Sequence, residues 1–270
     1  MTANSTHPAF PQPSESQIKI WRYMDLGKFI WMLQQRALFF ARADKLGDAY
    51  EGYYTELSAI IGEQEHMAQT QEMARMLGLN FDIHQEKEVF KKLLRVIVEK
   101  RTKYFVNCWH INEEDSTAMW KLYGSQKESI SITSTYQKLC DALPNEAFIG
   151  EVHYINYKRD VIEKSVPSGY GAAHAALPLK LIMHKRESYA HEREIRAVLW
   201  SEQPETSAKY TEENYGLAVP IDLASVIDAV YIGPAASRML KKVVDGLLQK
   251  YECTRIRECQ QSEVNAPPGF

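Results

Sequence analysis

The sequence predicts an α+β fold in which a mixed, largely antiparallel sheet has a helical insert packed on it. Short β-rich segments do not alternate regularly with helices, which argues against a doubly wound parallel sheet. A long helical block, residues 58–101, separates the early strands from the later ones. Hydrophobic residues make up 45% of the 270 positions, which is enough to bury the core of one such domain.

The first half of the chain opens with an alternating strand, residues 17–23, and Asp25 then provides the N-cap of a helix. The block 58–101 contains few glycines, many Glu, Gln, Lys and Met residues, and an apolar stripe, all of which are typical of helix. The other elements predicted here are strands at 38–42, 102–111 and 128–133, a loop at 43–52, a short helix capped by Asp115 or Ser116, and a helix at 136–143.

The second half combines further β-rich segments with two helices. Strands are predicted at 149–157, 191–200, 217–221, 229–232 and 254–257, and helices at 177–186 and 236–251. The Gly- and Ala-rich composition within residues 163–176 predicts a mobile loop.

The predicted domain covers residues 17–258. Residues 1–16 are polar and contain three prolines, so we expect a flexible N-terminal tail, and residues 259–270 are expected to form a C-terminal tail. The start of the chain lacks the basic and apolar regions of a secretion signal. No stretch of about 18 apolar residues predicts a membrane span.

Charge and cysteine content limit the expected partners and compartment. There are 32 Lys and Arg residues against 35 Asp and Glu residues, a net charge of −3, which argues against binding nucleic acid through bulk charge. The four cysteines are scattered and do not form a disulfide framework, so we expect a reducing cytoplasm. Neither a membrane nor nucleic acid is therefore an expected partner.

The strand predicted at 191–200 carries the most informative pattern. Its period of two places Glu192, Glu194 and Arg196 on one face and apolar residues on the other. The polar face is either exposed to solvent, with its charges neutralising one another, or it lines a cleft. In a cleft, a carboxylate near an arginine stays ionised and can stabilise a developing cation.

Arg22 is the second candidate, because its neighbours on the same strand face, Ile18 and Ile20, are apolar. An arginine in this position needs a partner. The partner is either an internal carboxylate, such as Asp48 or Glu51, or a bound phosphate that the guanidinium grips with two parallel hydrogen bonds.

Two further motifs have both a structural and a functional interpretation. Trp120 and Tyr123 share one helical face, where paired aromatics are more often core than a ligand platform. The hydroxyls of residues 133–135, which include Ser134, most simply cap the following helix. Cys108 and His110 point the same way along a strand, but no HExxH or CxxC spacing is present and no metal site is predicted.

Several short motifs together resemble a bacterial family catalogued as domain of unknown function 2971. They are WRYMDLGKFIWMLQQRALFFARADKLGDAYEG, YFVNCWHINEEDSTAMWKLYG, HKRESYAHEREIRAVL and VIDAVYIGP, and they follow one another in the family's order. The sequence departs from the family at Gly47, where an asparagine is usual, and in an extended helical insert around residues 62–79. Some members resemble abortive-infection proteins, which implies a role in phage defence.

A looser resemblance links the chain to ADP-ribosyltransferases, which use an early arginine, a middle hydroxyl motif and a late E-x-E strand. The resemblance implies that Arg22 and Ser134 belong to a site for nicotinamide adenine dinucleotide (NAD) as co-substrate, with Tyr23 or Tyr123 stacked on the nicotinamide. Glu194 would then stabilise an oxocarbenium-like transition state, and Glu192 would position or activate the acceptor.

Three functional hypotheses remain open from the sequence. The first is an enzyme that acts on a glycosidic bond of a nucleotide, with a nucleotide or macromolecular acceptor. The second is a non-enzymatic sensing or binding module that uses the same cleft or the helical insert. The third is a metal-dependent nuclease, in which Asp48, Glu51, Glu192 and Glu194 would bind a divalent cation.

Overall fold

The structure is a computed structural model that describes residues 7–123, 127–162, 173–204, 210–211, 215–253, 256 and 259–264. The predicted α+β class with a mixed, largely antiparallel sheet is confirmed. None of the helices in this part of the chain is long and apolar enough to cross a membrane.

Ten of the described strands form one sheet, and two short strands form a second. The strands are β1 (Lys19–Asp25), β2 (Ala37–Arg42), β3 (Tyr104–Ile111), β4 (Ser129–Thr135), β5 (Phe148–Glu151), β6 (His153–Ile155), β7 (His184–Arg186), β8 (Glu194–Trp200), β9 (Tyr210–Thr211), β10 (Gly216–Pro220), β11 (Ala229–Ile232) and β12 (Gln260–Gln261). The large sheet runs in the order β12-β11-β4-β1-β3-β2-β10-β9, while β8 pairs with β3 and β5 with β8. The small sheet pairs β6 with β7.

Several of the described helices begin after a polar N-cap residue, for example Asp25, Thr55 or Asp82. The helices are α1 (Leu26–Gln35), α2 (Glu56–Leu77), α3 (Ile83–Glu99), α4 (Thr117–Tyr123), α5 (Tyr136–Ala142), α6 (Ala173–Ile182), α7 (Leu223–Val226) and α8 (Arg238–Lys250). The block predicted at 58–101 is thus two helices, because Gly78 adopts the left-handed backbone that ends α2.

Apolar residues cover both faces of the large sheet. On one face, α1, α5 and α8 contribute residues such as Phe29, Leu139 and Val244 to the main core. On the other face, α6 packs Leu179 and Ile182 against the sheet, and α4 contributes a smaller group around Trp120. Charged residues on this second face of the sheet are consequently enclosed between strands and helices.

The predicted flexible tail is wrong for the residues from His7 onward. Phe10 is 2% exposed and stacks on Phe148, with ring centroids 5.3 Å apart. The backbone N–H of Glu151 donates to the carbonyl of Pro11 at 2.8 Å, so this segment lies along β5. The buried side chains of His7, Ala9 and Phe10, together with this backbone hydrogen bond, anchor the segment.

Other predicted boundaries also change. The strand predicted at 149–157 is two strands in different sheets, and the helix predicted at 177–186 ends at Ile182, after which β7 begins. Within the predicted mobile loop, residues 173–176 belong to α6, while 163–172 lie outside the described residues, as does most of the strand predicted at 254–257. In the predicted C-terminal tail, β12 extends the sheet beside β11.

Candidate functional site

The large sheet is split where β1 and β2 both meet β3. β1 pairs with the end of β3 near Ile111, and β2 pairs with its beginning near Val106. The three residues of β3 that lie between these two pairings, Asn107 to Trp109, pair with neither β1 nor β2. β1 and β2, which α1 connects, diverge from each other at this point. The gap between them leaves backbone carbonyl groups without an inter-strand hydrogen-bond partner.

Arg22 lies on the core-side face of β1 with Ile20 and Met24, opposite to the face of Trp21 and Tyr23, and its guanidinium occupies this gap in the sheet. Its Nη1 donates to the carbonyl oxygen of Cys108 at 3.0 Å, and its Nη2 donates to that of Phe39 at 3.3 Å. Neither Asp48 nor Glu51 is its partner, and among the described residues no carboxylate forms an ion pair with it. Burial lowers the pKa of Arg22 to about 10, which leaves the guanidinium charged at neutral pH.

A cavity of about 810 Å³ opens beside Arg22. Its walls combine aromatic side chains from several elements with a group of charged side chains. The residues that matter for the chemistry and that line it are Arg22, Tyr23, Cys108, His110, Tyr123, Glu51, Lys185, Glu192, Glu194 and Arg196. A cavity of this size and mixed character is typical of small-molecule sites, which measure roughly 300–1,000 Å³.

Five charged residues form one buried network, here named the charge cluster: Glu51, Lys185, Glu192, Glu194 and Arg196. Lys185 Nζ lies 3.4 Å from Glu51 Oε1 and 3.2 Å from Glu194 Oε2, and it also donates to Glu192. Arg196 donates through Nε to Glu194 at 2.7 Å and through Nη2 to Glu51 at 2.8 Å. Three carboxylates thus share two cations.

Local structure explains how these groups converge. Glu51 belongs to the loop after β2, Lys185 lies on β7, and β8 carries Glu194 and Arg196. The strand begins at Glu194 and not at residue 191, because residues 187–192 form a 3-10 turn. Arg193 then adopts a left-handed backbone with φ 39°, and the turn brings Glu192 and Glu194 to the same lysine.

The interpretation of the β8 polar face as exposed to solvent is wrong. Glu194 is 5% exposed and Arg196 is 1% exposed. Burial opposes ionisation of Glu194, but Arg196 and Lys185 together outweigh it and lower its pKa to about 2. For Glu51 the balance is reversed, since burial outweighs the attraction of Arg196 and raises the pKa of that carboxyl.

The two candidate tyrosines both line the cavity, in different ways. The hydroxyl of Tyr123 donates to Oε1 of Glu192 at 2.8 Å, and this side chain is 43% exposed. Tyr23 is buried between Trp21 and Trp120, and its hydroxyl accepts a hydrogen bond from the backbone N–H of Ser116. Tyr123 is therefore the more accessible surface for a flat ligand.

Ser134 does not belong to the site. It is fully buried on β4, opposite Ile20 in the register, and does not line the cavity. The period of two places it on the core side with Ile132. The helix-capping interpretation of this motif is confirmed, because the Thr135 side chain accepts from the backbone of Lys138 at the start of α5.

The acidic turn after β2 is engaged in ion pairs. Asp48 contacts Arg186 at 2.8 Å, and Glu51 contacts Arg196 and Lys185. In the part of the chain that the structure describes, no group of three or more His, Cys, Asp or Glu side chains could hold a metal ion. The Nζ of Lys185 occupies the position between carboxylates that a divalent cation would need in a nuclease.

Sequence reasoning missed two residues of this site. Lys185 lies in a segment with helical composition, so its place beside Glu194 was not expected. His110 was considered only as a metal ligand with Cys108, whereas the register places it directly opposite Glu194 and Cys108 opposite Arg196. The alternation of β3, which puts His110 and Cys108 on one face, was the available signal for His110, whereas that pattern contains no signal for Lys185 on β7.

Neither family models, nor curated proteins, nor solved structures gave a match to the chain. The resemblance to the 2971 family therefore stays a prediction, and the site is interpreted from its own geometry.

Proposed function

We propose that the protein binds a nucleotide in this cavity and breaks its glycosidic bond, with NAD as co-substrate, in the manner of an ADP-ribosyltransferase. One observation carries the proposal: a half-buried arginine, which forms no ion pair with a carboxylate of the described residues, lines the same cavity as a cluster with more carboxyl groups than cations. The transferred group would pass to a nucleotide, a macromolecular acceptor or water.

Electrostatic complementarity supports this class of ligand. Arg22 provides an uncompensated positive charge, which suits a phosphate. In the charge cluster, three carboxyl groups contact only two cations, so the cluster carries an excess negative charge whenever all three carboxyls are ionised. Oxidised NAD has both required features, since its phosphates are anionic and its nicotinamide ring carries a positive charge next to the bond that breaks.

The roles that we assign to Glu192 and Glu194 differ from those implied by the resemblance to ADP-ribosyltransferases. Glu194 already accepts two hydrogen bonds from Arg196 and one from Lys185, so little acceptor capacity remains for a ligand. Glu192 accepts from Tyr123 and Lys185 and keeps free lone pairs. We therefore assign the stabilisation of the oxocarbenium-like transition state to Glu192, while Glu194 and Arg196 hold the charge cluster together.

The aromatic wall completes the site. Tyr123 is partly exposed at the cavity and is held by its bond to Glu192, so a nicotinamide ring stacked on it would lie beside the proposed catalytic carboxylate. Tyr23 contributes to the wall without offering a free face.

A binding module is the second candidate, and the ion pairing favours it. All three carboxylates of the charge cluster contact a cation, an arrangement that also suits a purely structural role. In that case the cavity would bind the nucleotide without cleaving it. A nuclease is disfavoured, because Lys185 stands where a metal would be required.

Nicotinamide release tests the proposal. The protein is incubated with NAD, with and without bacterial extract as a source of acceptor, and free nicotinamide is measured by chromatography. We expect release by the wild-type protein and a loss of about 100-fold in Glu192→Gln, a typical cost of removing one electrostatic stabiliser. The matched control, Glu146→Gln, changes an exposed glutamate and should be without effect.

The outcomes separate the candidates. Binding of NAD without release would favour the binding module. A wild-type protein that neither binds NAD nor releases nicotinamide would refute the proposal.

A role in phage defence rests on the resemblance to the 2971 family alone. It predicts that expression of the protein is toxic to bacteria and that Glu192→Gln relieves this toxicity.

A further inference from the structure

His110 is held in one tautomer by the backbone. Its Nδ1 lies 2.5 Å from the carbonyl oxygen of Glu192. A carbonyl oxygen can only accept a hydrogen bond, so Nδ1 of the neutral ring carries the hydrogen and Nε2 carries a lone pair. The side chain is 3% exposed, and burial lowers its pKa below the ordinary value of 6.5, which keeps the ring neutral near pH 7.

The Nε2 atom has no hydrogen-bond partner among the described residues, although it is buried. The ring lines the cavity. The Tyr123 hydroxyl donates its hydrogen to Glu192, and the Tyr23 hydroxyl, whose ring centroid lies 6.2 Å from that of His110, is not hydrogen-bonded to Nε2. Buried acceptors are nearly always paired in folded proteins, so an unpaired acceptor on a residue that lines a cavity points to a donor brought by a ligand.

We propose that His110 is the general base of this site and that its Nε2 takes the proton from the attacking nucleophile. The inference rests on the proposed function and adds a catalytic residue to it. The glycosidic bond between ribose and nicotinamide breaks, and its electron pair leaves with the ring nitrogen. A hydroxyl oxygen of water or of the acceptor forms the new bond to the ribose carbon, and its proton moves to Nε2. The imidazolium then returns the proton to solvent.

The surroundings of His110 suit a base that is charged only during turnover. In the strand register, His110 lies between Trp21 on β1 and Glu194 on β8. The carboxylate of Glu192 would stabilise the transient imidazolium, while Arg193 and His191 oppose it. The titratable and charged groups that face the ring from the elements packed against it are Tyr23, Tyr123, His191, Glu192, Arg193 and Glu194.

The pH dependence of nicotinamide release tests the assignment. In the wild-type protein, kcat should rise with pH through a midpoint below 6.5, because only the neutral imidazole accepts a proton. In His110→Gln, kcat should fall by about 10²–10⁴-fold, and the rise of kcat with pH (the acidic limb of the profile) should disappear. The Kd for ADP-ribose should change less than about threefold. The control His84→Gln changes an exposed histidine on α3 and should keep the wild-type profile.

A measurement on the wild-type protein does not depend on how the variant folds. In ¹⁵N NMR, the His110 ring should show a protonated Nδ1 and an unprotonated Nε2, and ADP-ribose should shift the Nε2 signal. If wild-type nicotinamide release occurs but His110→Gln keeps both kcat and the acidic limb, the assignment of the base is wrong and the proposed function stands. If His110 is protonated on Nε2 in the free protein, the assignment is also wrong. If the wild-type protein releases no nicotinamide, both fail.

Discussion

Replacing Lys185 with methionine should destabilise the folded protein by about 3–5 kcal/mol at pH 7, the usual cost of removing one partner from a buried ion pair. Methionine fills a similar volume, so the decrease in folding stability would measure the loss of the positive charge and not a loss of packing. Lys185 is 5% exposed, and its Nζ lies 3.4 Å from Glu51 and 3.2 Å from Glu194. Without it, three buried carboxylates would share Arg196 alone.

The pKa of Glu194 gives a second route to this magnitude. A decrease from 4.5 to about 2 corresponds to about 3 kcal/mol of stabilisation at pH 7. Arg196 is the larger cause of the decrease and Lys185 the second, and Lys185 also contacts Glu51 and Glu192. The combined effect of the two cations on Glu194 lies at the lower end of the range for a broken buried pair.

The sign of the pH dependence follows from the same groups. The folded-state pKa of Glu194 lies below its ordinary value of 4.5, so its stabilising contribution is fully present above pH 4.5 and is lost as the pH falls toward 2. In Lys185→Met, the carboxyls of the charge cluster take up protons at higher pH. The difference in the free energy of unfolding between wild type and variant should therefore shrink between pH 7 and pH 4.5.

Urea denaturation followed by circular dichroism at several pH values measures this difference. Lys87→Met is the matched control, because Lys87 forms an exposed ion pair with Glu63 at 3.1 Å and should contribute less than about 1 kcal/mol. A deficit below about 1 kcal/mol for Lys185→Met at pH 7, or a deficit that does not depend on pH, would refute the view that Lys185 neutralises buried carboxylates.

Three further predictions concern Arg22 in the gap of the sheet, Tyr123 beside Glu192, and the N-terminal segment around Phe10. Arg22→Gln should reduce ADP-ribose affinity at least tenfold in calorimetry and cost about 1–3 kcal/mol in urea denaturation, since two carbonyls lose a charged donor. Tyr123→Phe should lower kcat for nicotinamide release about tenfold, because Glu192 loses a hydrogen bond; an unchanged kcat would contradict its role. Gly150→Ala should cost about 1–3 kcal/mol and expose the segment around Phe10 to proteolysis, because the added Cβ would lie 2.7 Å from the Phe10 backbone. The control Gly246→Ala, in open space on α8, should not destabilise the protein.

The sequence predicted several residues of the site, but neither all of its members nor how their charges would be paired. Strand periodicity placed Glu194 and Arg196 on one face, and chain order suggested a common site with Arg22. All three line one cavity. Their bonding could not be predicted, because it depends on Lys185 and on a gap between β1 and β2 that exists only in the assembled sheet.

The errors have equally specific physical causes. Ser134 was placed in the site by the resemblance to ADP-ribosyltransferases, yet the period of two puts it on the core-side face of β4, away from the cavity. The tail was predicted as flexible from its average polarity, which does not account for the burial of Phe10 and its neighbours against β5.

Calorimetric titration of the protein with oxidised NAD and with ADP-ribose is the most direct test of the central claim, that Arg22 and the charge cluster form one ligand site. We expect one binding site for each ligand, with Arg22→Gln weakening the binding of both and Glu192→Gln weakening that of NAD more than that of ADP-ribose, since only NAD carries the positively charged ring. Binding that neither substitution changes, or no heat of binding at millimolar ligand, would show that Arg22 and the charge cluster do not form a common site.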